Sequence, residues 1–321
     1  MKKVWMLAFL IVMLSGLGLS SQMALGQEKL QFGAAFKGSP RYDLLAWVAE
    51  NKGFWKDQGL KVDWIPFQGS SLMFRTLAAG KMFIGVSDIA SFVRGAAKEV
   101  PVIIVADLKT PQYFSLWVKG DSPIKTGKDL KDEGGRIGIS RKGGASHAYS
   151  ILLSRRLGVE KDVKIISLRG FRERIAAIRS GAIEAFIQTL GPVANMAATG
   201  DLRAIATSKD LLPADFIDFV VFSDKGFLKR KRNTVARVTK AVVKAALFIA
   251  NNPDWTKKKL QKDFNYTPEG AELSMTELKF AGAGTPITAK AMASTVNFFF
   301  ENKIIKKAPE VEGLYTNEFV K

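Results

Sequence analysis

Leu77-Ala-Ala-Gly80-Lys-Met-Phe-Ile-Gly-Val-Ser87-Asp88 and Ile178-Arg-Ser-Gly181-Ala-Ile-Glu-Ala-Phe-Ile-Gln-Thr189 are two copies of one unit, about a hundred residues apart. In each, a helical pattern stops at a glycine suited to the left-handed position after a helix, and an apolar strand follows at once. Each strand ends on a small polar residue able to cap the next helix: Ser87 or Asp88 in the first copy, Thr189 ahead of Gly191-Pro192 in the second. A further strand follows each copy, Val102-Ile-Ile-Val-Ala106 and Leu202-Arg-Ala-Ile-Ala206. Two similar α/β lobes, each with helix N-termini at one sheet edge, imply a cleft between them. That is a binding architecture before it is a catalytic one.

Outward from the repeat, the same rhythm continues. Lys29 to Phe36 reads as a strand, and Ser39-Pro40 supplies an N-cap and a first helical residue for a helix over 41–52 that ends at Gly53. Lys61 to Phe67 is the next strand, and Gln68-Gly-Ser-Ser71 turns it into the helix that ends at Gly80. In the second lobe, Arg136 to Ser140 is a strand, Arg141 to Ala145 a glycine-bearing loop and Ser146 to Leu157 a helix. Val163 to Leu168 is a strand, and Arg169-Gly170 a turn into the helix ending at Ser180. Strands alternating with helices of this length predict a mainly parallel sheet in each lobe, flanked by helices. Tyr113 to Val118 and Phe216 to Phe222 read as extended crossings between lobes. The expected division is 27–115 for the first part of lobe one, 116–218 for lobe two, and 219–321 for a return to lobe one, whose C-terminal helices are expected to pack there.

The N-terminus has the pattern of a cleavable export signal. Lys2-Lys3 precede an apolar stretch from Val4 to Leu19, and Ala24-Leu25-Gly26 offers a small-x-small cleavage site before Gln27. The apolar stretch is shorter than the ~20 residues a membrane-spanning helix needs. With Lys2 and Lys3 removed, 46 basic residues face 30 acidic ones, a net charge of +16. Export and the lack of a recognition motif argue against nucleic acid as a partner. The basic surface is better read as solvated, with a role in steering anions toward the cleft. The chain has no cysteine, which excludes disulfides, a thiol nucleophile and a lipid-anchored N-terminal cysteine. A metal site would need partners that the single His147 lacks, and no cofactor is expected.

Helix N-termini present unpaired N–H groups and a positive dipole end, and parallel α/β sheets gather them at the strand C-termini. The candidate ligand-binding residues are therefore those of six turns. Lobe one offers Ser39, Arg41 and Tyr42, then Gly69, Ser70 and Ser71, then Ser87 and Asp88. Lobe two offers Gly144, Ala145, Ser146 and His147, then Arg169, then Thr189. Each hydroxyl has a competing reading as the cap of its own helix. Arg41 and Arg169 have the fork geometry for a carboxylate or sulfonate, or are solvated rim. Asp88 either caps a helix or accepts from an amine. Phe36, Tyr42, Phe67, Trp117 and Phe171 lie near strand ends, where they floor a pocket or fill the core.

Asp43-Leu-Leu-Ala-Trp-Val-Ala-Glu-Asn-Lys-Gly-Phe-Trp-Lys-Asp-Gln-Gly-Leu-Lys-Val62 resembles the signature of nitrate/sulfonate/taurine-type ABC-transporter substrate-binding proteins. The Gly69-Ser-Ser71 turn, both helix–Gly–strand units, Asp129-Leu130 before Arg136-Ile-Gly138 and the closing Leu314-Tyr-Thr-Asn-Glu-Phe319 fit the same family. The resemblance implies a two-lobe type II periplasmic binding protein fold. It further implies a monomer of the periplasm, with a small-molecule solute as ligand and an ABC permease and ATPase as partners. Family members usually carry Asp where this chain has Phe83, while the second copy keeps an acid, Glu184.

Three function classes follow. The first, and the one expected, is a non-enzymatic binding protein for a small organic anion, or alternatively for a neutral pyrimidine or aromatic compound. The second is a catalytic pyrimidine-synthase-like protein, a class that resembles this fold but uses Cys and several His residues. Ser122-Pro-Ile-Lys125 matches a Ser-x-x-Lys pattern, without its companion elements. The third, the effector half of a transcription regulator, is opposed by the export signal.

Overall fold

Each copy of the repeat builds the same elements at the same spacing in the computed structural model, which describes residues 27–110 and 113–320. The expected export signal lies outside the described residues. In chain order the strands are β1 (Glu28–Ala34), β2 (Leu60–Pro66), β3 (Ile84–Asp88), β4 (Val102–Asp107), β5 (Phe114–Lys119), β6 (Arg136–Ile139), β7 (Lys164–Ser167), β8 (Ala185–Thr189), β9 (Leu202–Thr207) and β10 (Phe219–Asp224). The first-lobe helices are α1 (Pro40–Asn51), α2 (Ser70–Ala78) and α3 (Ile89–Ala96). The second-lobe helices are α4 (Gly127–Asp132), α5 (Ala145–Arg156), α6 (Phe171–Arg179) and α7 (Leu190–Ala198). Then come α8 (Lys225–Arg230), α9 (Arg232–Asn251), α10 (Pro253–Phe264), α11 (Pro268–Ser274) and α12 (Ala289–Glu301).

The two five-stranded sheets have equivalent orders, β2-β1-β3-β10-β4 and β7-β6-β8-β5-β9. In each, β1 or β6 pairs in parallel with its neighbours, and one strand, β10 or β5, runs antiparallel between two others. The mainly parallel two-lobe reading is therefore borne out. Both antiparallel strands carry an irregularity near their middle, at Val221/Phe222 and Leu116/Trp117. Gly80 (φ 66°) and Gly181 (φ 73°) take the left-handed conformation that lets helix turn directly into strand.

Two expectations need correction. The extended segments Tyr113–Val118 and Phe216–Phe222 are largely interior strands, β5 and β10, hydrogen-bonded on both edges rather than free connections. Interior strands cannot absorb a rotation without breaking a ladder of hydrogen bonds. The C-terminal helices, in turn, do not all pack on lobe one. Helices α9 and α10 lie on α1, with Trp47 of α1 and Trp255 of α10 at 5.8 Å, but α11 lies on α7 of lobe two. There Asn195 donates to the Asn265 carbonyl at 2.9 Å and accepts from Thr267 N–H at 3.0 Å, while the Tyr266 hydroxyl donates to the Gly191 carbonyl at 2.9 Å. The amphipathic pattern of these helices shows which side is buried but not which lobe receives it.

The position that departs from the family pattern is absorbed by packing. Phe83 stacks on Phe227 at 5.3 Å, whereas its counterpart Glu184 accepts from the Arg136 N–H at 2.7 Å and pairs with its guanidinium.

Candidate functional site

Three helix N-termini reach the inter-lobe cleft with no side-chain bond from their own N-cap residue and, among the described residues, no other side chain on the first turn: α1 after Ser39, α2 after Gly69 and α5 after Gly144. Thr189 does not cap α7 either, but Glu277 Oε1 accepts from Leu190 N–H there at 2.6 Å. The cap alternative holds for one residue. Asp88 accepts from Ser91 N–H at 2.8 Å and so caps α3. Burial pushes the Asp88 carboxyl up from its ordinary range, against the Ser91 N–H and the Ser91 and Ser70 hydroxyls that hold it down.

A cavity of about 30 Å³ closes between the lobes. Ser39, Tyr42, Gly69, Ser70 and Asp88 line it from lobe one, and Ala145, Ser146 and Thr189 from lobe two, so eight of the fourteen candidates meet there. That volume holds only one or two water molecules. An organic ligand requires the lobes to part from this closed form. Contacts across the closure are tight: a Cβ on Gly144 would lie 3.3 Å from Ser70 Oγ, and Arg141 Nε donates to the Gln68 carbonyl at 2.8 Å. Glycine at 144 is what allows α5 to approach α2 this closely.

The other six candidates lie elsewhere. Ser71 and Arg169 face a larger groove beside the cavity. Ser87 is fully buried and donates to Asp88 at 3.4 Å. Gly144 stands behind the wall as the residue before α5, and His147 one turn in, its Nδ1 accepting from Gly143 N–H at 3.2 Å. Arg41, 0% exposed, donates to the Thr110 carbonyl at 3.1 Å and covers the Phe219 ring at 4.2 Å, so its guanidinium serves the interior of lobe one rather than the cavity wall. Of the aromatic candidates, Phe36 and Tyr42 line the cavity; Trp117 instead donates to the Gln188 carbonyl at 2.9 Å.

The sequence reading missed Gln188, Ser140 and Phe114, which also line the cavity. The repeat carried a signal for the first: Gln188-Thr189 sits where Ser87-Asp88 sits in lobe one. Phe114 stacks on Tyr149 at 4.4 Å, and the Ser140 and Ser146 hydroxyls bond at 2.7 Å. Arg174 was missed as well. It is 1% exposed, donates to the Leu168 carbonyl at 3.0 Å, and lies 5.9 Å from both the Phe36 and Phe171 rings. Burial, against the Glu173 charge, brings its guanidinium down to about 10.

Two buried polar atoms of the cavity wall have no hydrogen-bond partner among the described residues, Ser39 Oγ and Gln188 Nε2. Other buried atoms, such as Thr239 Oγ1, are also unpartnered. What sets these two apart is that they face one cavity from opposite lobes. Unpaired buried donors cost ~1–3 kcal/mol each, and a ligand acceptor between them removes that cost.

Comparison with known proteins agrees with this architecture. A family model described as NMT1/THI5 like matches residues 44–256. YtlA of Bacillus subtilis (strain 168), named as a binding protein, is 25% identical over 210 residues, covering 64% of this chain and 62% of that protein's length. A Candida albicans protein, CA3427, described as having the generic periplasmic binding protein fold, aligns with a TM-score of 0.75 at 16% identity over 92% of this chain and 98% of that one. The alkanesulfonate-binding protein SsuA from Xanthomonas axonopodis pv. citri, bound to MOPS, aligns with a TM-score of 0.72 at 18% identity over 90% and 98%. The desulfurization enzyme DSZB shares the fold too, with a TM-score of 0.62 at 15% identity over 91% and 97%. The resemblance read from the sequence is thereby borne out, as is the two-lobe fold.

Proposed function

This chain belongs to the NMT1/THI5-like family, and we propose that it is the solute-binding component of an ABC importer. In this reading it works in the periplasm, takes a small organic anion between its lobes and presents it to a membrane permease and ATPase. The observation that carries the reading is the pair of unpartnered groups, Ser39 Oγ and Gln188 Nε2, on residues that line the one cavity from opposite lobes, beside the uncapped starts of α1, α2 and α5. Uncapped N-termini favour negative charge by ~0.3–1 kcal/mol each when exposed and by more when partly buried. A sulfonate or carboxylate supplies acceptors to both lobes at once, so binding and closure become one event. The naming of one structural relative as alkanesulfonate-binding supports the same ligand class.

The wall offers little to a reaction. Its one carboxylate, Asp88, is committed to capping α3, and Tyr42, pushed well up by burial and then by the Asp88 charge, stays protonated. One relative's enzyme activity thus finds no matching acid–base pair in the wall. Phe36 and Phe114 give the cavity an aromatic side, which favours an anion carried on an apolar or aromatic body.

A thermal-shift screen of organic sulfonates, carboxylates and neutral heterocycles tests the reading. A ligand at 100-fold its Kd stabilises by ~2.7 kcal/mol, several degrees in melting temperature. Shifts confined to the neutral heterocycles would contradict it.

A further inference from the structure

Beside the cavity, with Ser140 in the wall of both, runs a groove of about 490 Å³ between α2 and α3 on one side and the lobe-two turns on the other. Its charge is one-sided. Arg75, Arg94 and Lys98 line it from lobe one, and Arg141, Lys142 and Arg169 from lobe two, with no carboxylate in the lining. Some cations elsewhere on the chain are paired, such as Arg155 with Glu160, Lys257 with Glu272 and Arg232 with Glu318. None of the six groove cations forms an ion pair with a carboxylate among the described residues. Arg94 Nη1 is buried there with no hydrogen-bond partner. The local potential acts on a third group: burial first, then Arg94 and Lys142, push the His147 imidazole down to about 4.

Three cations on each wall repel across the closed cleft. Like charges held across a narrow, partly dry cleft repel more strongly than in open water, and salt reduces this. A bound anion of several charges reverses the sign of that interaction for both walls at once. The groove is also the right size, since small-molecule sites are about 300–1,000 Å³. Hydroxyls of Ser71, Ser91, Ser140 and Ser167 are interspersed among the cations.

We infer that this groove is a second binding site, for a small oxyanion bearing two or more negative charges, a phosphate ester or di- or tricarboxylate, that bridges the lobes and favours their closure. The inference stands independently of what the inter-lobe cavity binds.

The test is titration calorimetry of the purified protein with inorganic pyrophosphate and with citrate, in 0.15 M NaCl. The wild type is compared with two triple variants of equal charge loss. One removes groove cations, Arg75→Gln, Lys98→Gln and Arg169→Gln. The other removes exposed lysines elsewhere, Lys229→Gln, Lys240→Gln and Lys290→Gln. The expected result is a sub-millimolar Kd for at least one anion, weakened tenfold or more by the groove variant and less than twofold by the surface variant. Whichever anion binds tighter tells a phosphate site from a carboxylate site. Equal weakening by both variants, or no binding of either anion, overturns the inference.

Discussion

Leu190, the first residue of α7 in lobe two, donates its main-chain N–H at 2.6 Å to Oε1 of Glu277, which reaches it from the C-terminal segment. Glu277 is 3% exposed, and burial pushes its carboxyl up despite the charge of Arg41. The bond gives α7 the cap that Thr189 does not provide and ties the lobes together at the cleft. Glu277→Ala leaves a buried N–H unpaired and is expected to cost ~1–3 kcal/mol. Glu277→Gln keeps an acceptor and should cost less. Urea denaturation measures both; equal losses would mean that the carboxyl acts through volume alone.

Gly191, next along α7, has room for hydrogen only. A Cβ there would lie 2.7 Å from Pro40 Cγ and 2.7 Å from Glu277 Oε2. Gly191→Val should therefore wedge the lobes apart without touching either sheet. Small-angle scattering should show a larger radius of gyration than for the wild type in the absence of ligand. An unchanged radius would place the tolerance in α1 rather than in lobe closure.

Two groups titrate in the same window with opposite signs. Asp43 is pushed up to about 6, burial outweighing the Gly38 N–H and the Lys37 charge. Its folded value lies above the unfolded ~3.9, so its contribution is full below pH 3.9 and is lost as pH rises through 6. His147, at about 4 when folded against ~6.5 unfolded, contributes fully above pH 6.5 and loses this as pH falls through 4. Between pH 4 and 6.5 these two contributions therefore oppose each other. Asp43→Asn should raise the melting temperature at pH 8 and leave it unchanged at pH 3.5. His147→Asn should raise it at pH 4 relative to pH 8. Melting curves of wild type and both variants across pH check this; a variant-minus-wild-type difference that does not change with pH would contradict it.

The sheets and their flanking helices were legible because the repeat sets its own register: α2 and α6, β3 and β8 start at equivalent positions of the two copies. The cleft residues nearest each helix start were legible for the same reason, and Ser39, Ser70 and Ser146 do meet at the cavity. Arg41 was not, because a guanidinium one residue into a helix is equally placed to face solvent or the interior, and Phe219, from a strand far along the chain, decides for the interior. Glu277 belongs to a short turn with no pattern of its own, and its partner is 87 residues away. The groove cations were visible singly, but six of them meet only when both lobes close.

The most direct test of the central claim is a matched pair of ligands: the organic acid that gives the largest thermal shift and its neutral amide, titrated calorimetrically into wild type and into Ser39→Ala/Gln188→Leu. An anion held between the lobes predicts that the acid binds at least tenfold tighter than the amide and that the double variant weakens the acid at least tenfold. An amide that binds the wild type as tightly as the acid would contradict it.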